Sequence, residues 1–411
     1  MQILSSRVFR YCGLSIIFVC IFAASFMWYL CSNQTCTLKK FDFLSSQSES
    51  YPKSRWRKLI TSRNFLPKPK IMTDDNGVPD DKIIVAQSDF KIKGYDVIVF
   101  LHIQNTGGSV FARHMVEDLI LERPCRCKKY RRLCRCYRPN NYGSTWFFSR
   151  YTTGWKCGVH PDWSELSTCV DRVMDEDEGK PVKRRYFFMT VLRDPVKRFL
   201  SEFWHVRQGQ SWFSSRHWCS GIEATENELP PCFNNEELAN LTLDHFIKCR
   251  HNLAINRQAR MLSDLALVGC YNSSLSKQDR DLIILTSAKN NLHKMSFFGL
   301  SEFPKVSQYM FEITFGMNFK VKNSLSRDSL NRSTRKELFR EISAKDIETI
   351  KNINYLDIEL YHYAKELLFF RFEKLKKNDP SFKNNFEVLD HNNLSVEDWA
   401  DREDFIDNLL D

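Results

Sequence analysis

The residues from Thr106 to Ser109 have the composition of a phosphate-binding turn. They read Thr-Gly-Gly-Ser, follow an apolar run at 97–103 and precede a helical pattern. Amides and hydroxyls at a helix N-terminus bind anions, and glycine lets a ligand approach the backbone closely. An ordinary turn between a strand and a helix would use the same residues. Because the Walker A pattern is absent and no lysine follows the glycines, a nucleotide-dependent kinase is disfavoured.

A second strand-to-helix junction also carries phosphate-binding residue types. The apolar run at 186–192 leads into Arg193, Asp194 and Pro195, where Asp194 suits a helix cap and Pro195 the first helical position. The Arg193 guanidinium and the Ser201 hydroxyl, two turns into the helix, are suited to bind a second phosphate. A surface salt-bridge cluster is the alternative. Two such junctions in one sheet strengthen each other as evidence of an anion site.

An imidazole is the side chain best suited to take a proton from a hydroxyl at neutral pH, since its ordinary pKa is about 6.5. The chain has ten histidines, and composition does not choose among them. His160 lies in the segment CGVHPDW, and His102 ends an apolar strand pattern. A single loop histidine is more often structural than catalytic.

Strand and helix patterns alternate through the central part of the chain. Continuous apolar runs at 97–103 and 186–192 predict buried strands, and 265–268 and 297–300 predict two shorter ones. Helical patterns separate these runs. The alternation predicts an α/β fold, with a parallel sheet and flanking helices.

Further patterns predict helices beside this sheet. An apolar stripe follows the first junction, Thr334 and Glu337 have the spacing of a capping box, and a second stripe indicates the core-facing side of a long C-terminal helix. The first stripe consists of Val110, Met115, Leu119 and Leu121, and the second of Leu356, Leu360, Tyr363, Leu367 and Phe370.

The net charge of +10 conceals a strong asymmetry. Residues 384–411 contain nine acidic residues and one basic one, a net charge of −8, so the other 383 residues carry +18. Residues 123–138 hold eight lysines and arginines and no acid. This imbalance predicts a polyanionic partner, which is nucleic acid, an anionic membrane surface or an acidic polysaccharide. For residues 123–138 a merely solvated face is the alternative.

Residues 12–31 form an uncharged apolar run long enough to cross a bilayer. Arg7 and Arg10 precede it, which favours a cytosolic N-terminus and a signal anchor. A cleavable signal peptide is the alternative, because Ala23 and Ala24 are small. The anchor would place the basic surface in the lumen, which disfavours nucleic acid as a partner. The predicted order is a cytosolic tail (1–11), a transmembrane anchor (12–31), a stem (32–92), a catalytic domain (93–375) and an acidic, disordered tail (376–411).

Ten of the fourteen cysteines lie between Cys125 and Cys270. An even number behind a signal anchor predicts disulfides. The two CxC steps, at 125–127 and 134–136, could instead bind zinc, although structural zinc sites usually use CxxC spacing. Five N-glycosylation sequons agree with a lumenal address, at Asn33, Asn240, Asn272, Asn331 and Asn393.

Several longer motifs carry a resemblance to a known family. They are FLHIQNTGGSVFARH, the double CxC insert followed by YRP, WFFSRYTTGWKCGVHPDW, LRDPVKRFLSEFWHV, NRQARMLSDLALVGCYN and FFGLSEF. Over roughly residues 93–375, the chain resembles the heparan sulfate 6-O-sulfotransferases. The resemblance implies a Golgi type II membrane protein with a P-loop-kinase-like α/β domain. It also implies sulfuryl transfer from 3′-phosphoadenosine 5′-phosphosulfate to the 6-hydroxyl of glucosamine in heparan sulfate, without a metal; the oligomeric state stays open.

The resemblance implies roles for individual residues. His160 matches the general base, and Arg193 and Ser201 match the pair that holds the 3′-phosphate. Ser326 and Arg327 match a loop that closes on the nucleotide. The loop that holds the 5′-phosphosulfate corresponds to His102, Ile103, Gln104, Asn105, Thr106, Gly107, Gly108, Ser109 and Val110, and the acceptor-binding residues to Arg131, Arg132, Arg150, Trp155, His160, His205 and Trp212.

One position departs from the family pattern. Asn105 stands where the family motif HIQKTGG has the lysine that neutralises the phosphosulfate during transfer. An amide can donate a hydrogen bond but brings no charge. Losing such a contact at a developing oxyanion costs on the order of 10² to 10³ in rate. The change therefore predicts a slow enzyme, an enzyme that uses another cation such as Lys156 or Lys129, or a heparan-sulfate-binding relative without catalysis.

Overall fold

The computed structural model divides the chain into residues 1–72 and a compact unit at 73–411. The described residues all belong to the second unit, so the predicted anchor at 12–31, most of the stem and the capping box at Thr334 lie outside them. No helix within the described part is both long and apolar enough to cross a membrane. The described ranges are 89–128, 133–209, 217–219, 221–233, 235–272, 274–320 and 342–387.

Four parallel strands form the main sheet: β1 (Asp96–Leu101), β6 (Phe147–Phe148), β7 (Arg185–Leu192) and β10 (Phe297–Leu300). Their order across the sheet is β10, β7, β1, β6. Every residue of β1 is buried, because helices cover both faces of a parallel sheet. The predicted α/β fold with a parallel sheet and flanking helices is confirmed, as are the strands at 97–103, 186–192 and 297–300.

The fourth predicted strand, at 265–268, is wrong. These residues form a 3₁₀ helix, Leu265–Val268. The Asp264 side chain accepts a hydrogen bond from the Ala266 amide, and Gly269 ends the turn in the left-handed region. The short apolar run therefore reflects two buried side chains on a turn, and its length could not distinguish this from a strand.

Helices flank the sheet, and antiparallel pairs of short strands lie outside it. The pairs are β2 (Arg126–Cys127) with β3 (Cys134–Arg135), β4 (Tyr137–Arg138) with β5 (Asn141–Thr145), and β8 (Trp218–Cys219) with β9 (Ile222–Glu223). A second 3₁₀ helix spans Asn235–Asn240. The α-helices of the described ranges are α1 Gly108–Asp118, α2 Trp163–Glu178, α3 Pro195–Arg207, α4 Leu243–Lys248, α5 Arg257–Leu262, α6 Lys277–Lys294, α7 Pro304–Phe315, α8 Ala344–Ile353, α9 Tyr355–Asn378 and α10 Phe382–Glu387.

The long C-terminal helix α9 packs much as its apolar stripe predicts. Leu356, Leu360 and Leu367 are buried, but Phe370 is 51% exposed, so its assignment to the core is wrong. The buried side of the helix continues instead through Phe372. The folded part also extends past residue 375, because α9 runs to Asn378 and α10 follows it.

The cysteines of the described part form five disulfides, as the sequence predicted, and the alternative of zinc at the CxC steps is wrong. Two of the bridges join the CxC steps to each other across the β2–β3 hairpin. The five pairs are Cys125–Cys136, Cys127–Cys134, Cys157–Cys169, Cys219–Cys270 and Cys232–Cys249.

Candidate active site

The loop after β1, residues 102–109 (the glycine loop), is buried and held in one shape. The Thr106 hydroxyl donates to the Ile103 carbonyl at 2.9 Å, and the Ser301 hydroxyl donates to the Thr106 carbonyl. Asn105 and Gly107 have φ of 61° and 84°, in the left-handed region that asparagine and glycine tolerate best. The tight turn brings the start of α1 directly behind the end of β1.

The N-terminus of α1 has the features of an anion site. Gly107 precedes the helix without a side-chain cap, whereas Asp162 and Asp194 cap α2 and α3. A β-carbon at position 108 would lie only 2.6 Å from His102 Cδ2, so a glycine is required there. The amides of a helix N-terminus attract negative charge.

Asn105 connects this loop to the second junction. Its backbone carbonyl accepts a hydrogen bond from the Arg193 guanidinium at 3.2 Å. Its side-chain oxygen accepts one from the Ser201 hydroxyl at 3.4 Å. All three residues are at most 4% exposed. The structure therefore brings together the residues that the sequence assigned to two separate phosphate sites.

The backbone of Arg193 is fixed by Gln258, a residue to which sequence reasoning gave no role. The Gln258 side chain accepts from the Arg193 amide and donates to its carbonyl, both at 2.9 Å. Asp357 in turn accepts from the amides of Gln258 and Ala259. The motif NRQARML was recognised in the sequence, but no local pattern could show that its glutamine binds residue 193.

A buried ion-pair network supports the same region of α3. Glu202 accepts from the Arg257 Nε at 2.9 Å and also pairs with Arg198, one helical turn earlier. Arg198 and Glu202 are almost fully buried, so the salt bridges at this junction are internal rather than the surface cluster considered from the sequence. Removing one partner of such a network leaves a buried charge without compensation.

His160 lies in the loop between β6 and α2 and contacts the glycine loop. Its Nδ1 is 3.0 Å from His102 Nδ1, and the ring centroids are 4.8 Å apart. The residue is buried and has φ of 52°, a backbone conformation that costs a non-glycine residue about 1–2 kcal/mol. The Asp162 cap at the start of α2 follows immediately. His160 is thus positioned on the same side of the sheet edge as the Thr-Gly-Gly-Ser turn.

The surroundings of His160 keep its imidazole neutral. Burial lowers the pKa of His160 well below its usual value, and the electrostatic influence of His102, Arg150 and Arg257 lowers that pKa further. A neutral imidazole has one nitrogen lone pair, which is what a general base requires.

A small cleft opens beside His160, lined by Asp162, Glu165, His217 and Tyr271 among others. Burial raises the pKa of Asp162 to about 6 and lowers the pKa of His217 to about 3. At neutral pH the cleft therefore contains neutral imidazoles beside carboxylates. Sequence reasoning missed His217, which has no distinguishing motif around it.

Two residues assigned to the acceptor lie next to His160. The Trp155 ring centroid is 5.2 Å from that of His160, and Trp155 is 42% exposed. The Arg150 guanidinium lies 5.7 Å from the Trp155 ring and donates to the Tyr151 hydroxyl. An exposed aromatic ring beside a cation suits a charged sugar.

Some of the remaining predicted site residues lie within the described ranges, and others lie outside them. His205 is buried one turn after Ser201, so both share one side of α3. Ile103, Gln104 and Val110 are buried in the loop and the first turn of α1. The residues outside the described ranges are Arg131, Arg132, Trp212, Ser326 and Arg327.

The glycine loop contains buried polar atoms that could form hydrogen bonds to a nucleotide. Asn105 Nδ2 and Gln104 Oε1 are buried and have no hydrogen-bond partner within the described residues. An unsatisfied buried donor is costly, and an anionic oxygen would satisfy Asn105 Nδ2. Together with the N-terminus of α1, this donor fits a phosphate or phosphosulfate group. In the described part of the chain, no group of three or more residues has the composition of a metal site.

The class of protein follows from a family comparison that covers this parallel α/β domain. Residues 88–364 match the model of the sulfotransferase family. The matched span contains the main sheet, both junctions and His160. The chain is a sulfotransferase.

Similarity to individual named proteins identifies the family more closely. The chain is 40% identical over 369 residues to heparan-sulfate 6-O-sulfotransferase 2 of Gallus gallus, covering 89% of this chain and 87% of that protein. The Homo sapiens protein of the same name is also 40% identical, but the match covers only 58% of its length. Heparan-sulfate 6-O-sulfotransferase 3-B of Danio rerio is 45% identical over 300 residues, or 73% of this chain and 70% of that one. The chain belongs to the heparan-sulfate 6-O-sulfotransferase family.

Proposed function

We propose that this protein transfers the sulfuryl group of 3′-phosphoadenosine 5′-phosphosulfate to the 6-hydroxyl of glucosamine residues in heparan sulfate. Family membership and the names of the relatives support the reaction and the acceptor, and a sulfotransferase implies this donor. The observation that carries the proposal is the 3.0 Å contact between His160 and His102. It positions a neutral base directly beside an anion-binding helix terminus.

The chain would hold the donor at both ends. Residues 106–109 and the N-terminus of α1 would bind the 5′-phosphosulfate, and Arg193 with Ser201 the 3′-phosphate. Asn105 contacts both Arg193 and Ser201, which fixes the two binding regions relative to each other. The donor supplies an activated sulfuryl group on a phosphate leaving group. Because transfer needs the acceptor hydroxyl and that leaving group nearly in line, positioning and charge stabilisation provide most of the rate.

His160 would act on the acceptor. Its neutral imidazole accepts the proton of the glucosamine 6-hydroxyl as the oxygen bonds to sulfur. The backbone strain at His160 agrees with a functional position, since strained residues concentrate at active sites. Trp155 would stack on a sugar ring and Arg150 would pair with a sulfate or carboxylate of the chain.

A polyanionic acceptor matches the charge distribution of the chain. The basic segment at 123–138 carries eight lysines and arginines, and two disulfides hold its hairpin. Heparan sulfate would bind along this segment toward His160. The disulfides and the apolar run at 12–31 support a single-pass type II protein with its catalytic domain in the lumen. The family resemblance implies that the membrane is that of the Golgi.

Asn105 supports a second candidate, a heparan-sulfate-binding relative with little or no catalysis. Asn105 brings no charge to the position where the family motif has a lysine. Of the two alternative cations, Lys156 forms an ion pair with Asp177, and Lys129 lies outside the described residues. Arg193 donates a hydrogen bond to the Asn105 carbonyl, but it is assigned to the 3′-phosphate at the other end of the donor. We therefore expect slow transfer.

The full-length protein, incubated with donor labelled in its sulfuryl group and with 6-O-desulfated heparan sulfate, tests the proposal. Disaccharide analysis should place the label on the 6-position of glucosamine. Label at another position would overturn the proposed acceptor atom. If no label reached the heparan sulfate while adenosine 3′,5′-bisphosphate and heparan sulfate still bound, the protein would be the heparan-sulfate-binding relative without catalysis. Phosphate transfer from ATP in a parallel incubation would reopen the kinase alternative.

A further inference from the structure

The His102 ring lies between His160 and Ser109 and contacts both. Its Nδ1 is 3.0 Å from His160 Nδ1, and its Nε2 is 3.0 Å from the Ser109 hydroxyl. Both distances lie in the range of a hydrogen bond. The three side chains are at most 7% exposed. They form a continuous chain from the proposed base to the first turn of α1.

The direction of these hydrogen bonds follows from one further contact. His160 Nδ1 also lies 3.4 Å from the backbone carbonyl oxygen of His102. A carbonyl only accepts, so the proton belongs on His160 Nδ1. His102 Nδ1 must then accept, which puts the His102 proton on Nε2, from where it donates to the Ser109 oxygen. Each contact has one donor and one acceptor in this arrangement.

The reverse arrangement is chemically different. If His102 Nδ1 carried the proton and donated to His160, the His160 proton would sit on Nε2. His160 Nδ1 would then face the His102 carbonyl with a lone pair, and Nε2 could not accept a proton. The observed geometry favours the first tautomer, in which His160 Nε2 has the lone pair.

We propose that His102 is a positioning residue that fixes the tautomer and orientation of His160 and couples them to the nucleotide loop through Ser109. This inference rests on the proposed function of His160 as base. His102 can perform the task because its ring is immobilised: it stacks on Phe100 with a centroid distance of 5.9 Å, and Gly108 leaves the space that its Cδ2 occupies. Any side chain at 108 would displace the ring.

Two substitutions separate the two nitrogens of His102. In His102→Asn, the amide occupies the place of Nδ1 and can still accept from His160. In His102→Gln, the amide reaches the place of Nε2 and keeps only the Ser109 contact. We expect the kcat of His102→Gln to lie about 10- to 100-fold below that of His102→Asn, with nearly equal KM values for donor and acceptor in the two variants. Equal activity of the two variants, or a loss confined to KM, would overturn the proposal.

A second measurement is independent of catalysis. Nitrogen-15 NMR of the full-length protein with labelled histidines distinguishes the Nδ1–H and Nε2–H tautomers, and His160→Ala and His102→Asn assign the two rings. We expect His160 as the Nδ1–H tautomer and His102 as the Nε2–H tautomer. His160 protonated on Nε2 would overturn the proposal. A protein with the expected tautomers that transfers no sulfate would instead refute the proposed function and leave the hydrogen-bond chain intact.

Discussion

The side-chain oxygen of Asn105 lies 3.4 Å from the hydroxyl of Ser201, although 96 residues separate them in sequence. The contact joins the glycine loop, just before its Thr-Gly-Gly-Ser turn, to the second turn of α3. It explains how the site accommodates an asparagine where the family motif has a lysine. The side-chain oxygen of Asn105 accepts from Ser201 of the second junction. The side-chain nitrogen is buried and has no hydrogen-bond partner within the described residues. A ligand anion would complete this arrangement.

Asn105→Lys should raise the rate of sulfate transfer by on the order of 10-fold to 10²-fold, because an ammonium would stabilise the negative charge that develops on the leaving phosphate. The matched control is Asn105→Gln, which places a similarly extended side chain on the same left-handed backbone without a charge. Transfer of labelled sulfate under saturating donor measures the change. A gain of equal size in both variants, or in neither, would show that charge at residue 105 does not limit the reaction.

Ser201→Ala should weaken the binding of adenosine 3′,5′-bisphosphate by about 10- to 100-fold, since one hydrogen bond to a charged group contributes about 1.5–3 kcal/mol. Binding of adenosine 5′-phosphate, which lacks the second phosphate, should change little. Titration calorimetry on both nucleotides measures the ratio. Ser167→Ala, on the exposed side of α2, is the control. If Ser201→Ala weakened both nucleotides equally, Ser201 would not be bound to the 3′-phosphate.

The acidic limb of the pH profile of kcat/KM should lie below pH 6.5. Burial and the neighbouring His102, Arg150 and Arg257 lower the pKa of His160, so the imidazole stays neutral and able to accept a proton as the pH falls through the range where an exposed histidine becomes charged. Activity should decline only once the pH approaches that lowered pKa. Initial rates between pH 5 and pH 8 test this, about the span in which an unperturbed histidine titrates. A limb at or above the ordinary histidine pKa would contradict the neutral base.

The disulfides should differ in their contribution to stability according to the loops they close. In the chain-entropy model, Cys219–Cys270, with a separation of 51 residues, stabilises by about 4 kcal/mol, and Cys127–Cys134, with a separation of 7, by about 2.5 kcal/mol. Replacing both cysteines of a pair by alanine should therefore lower the thermal midpoint more for the first pair. Scanning calorimetry of the two double variants compares them. A larger drop for Cys127–Cys134 would show that hairpin geometry, rather than loop length, dominates.

The sequence predicts those parts of the site that depend on local chemistry. Asp194 caps α3 and Pro195 begins it because a capping carboxylate and a proline act within one turn. β1 and β7 were predictable because long runs of β-branched and aromatic residues are typical of strands that are buried on both faces of a parallel sheet. The four-residue run at Leu265 was too short for its period to identify the element.

Local sequence patterns could not predict contacts between residues that are far apart in the chain. The pairing of His102 with His160 spans 58 residues, and that of Gln258 with Arg193 spans 65. The family resemblance selected His160 among ten histidines, but nothing in the sequence indicated that His102 would touch it. Phe370 was assigned to the core by spacing alone, and the packing of α9 turned the buried side toward Phe372 instead.

The most direct test of His160 as the base compares the full-length wild-type protein with His160→Ala in one assay of 6-O-sulfate formation on heparan sulfate. His362→Ala, an exposed histidine of α9, controls for the loss of an imidazole as such. We expect measurable 6-O-sulfation by the wild-type and His362→Ala proteins, none by His160→Ala, and nearly equal affinity of all three for adenosine 3′,5′-bisphosphate. A His160→Ala protein that forms 6-O-sulfate at the wild-type rate would contradict the role of His160 as the base.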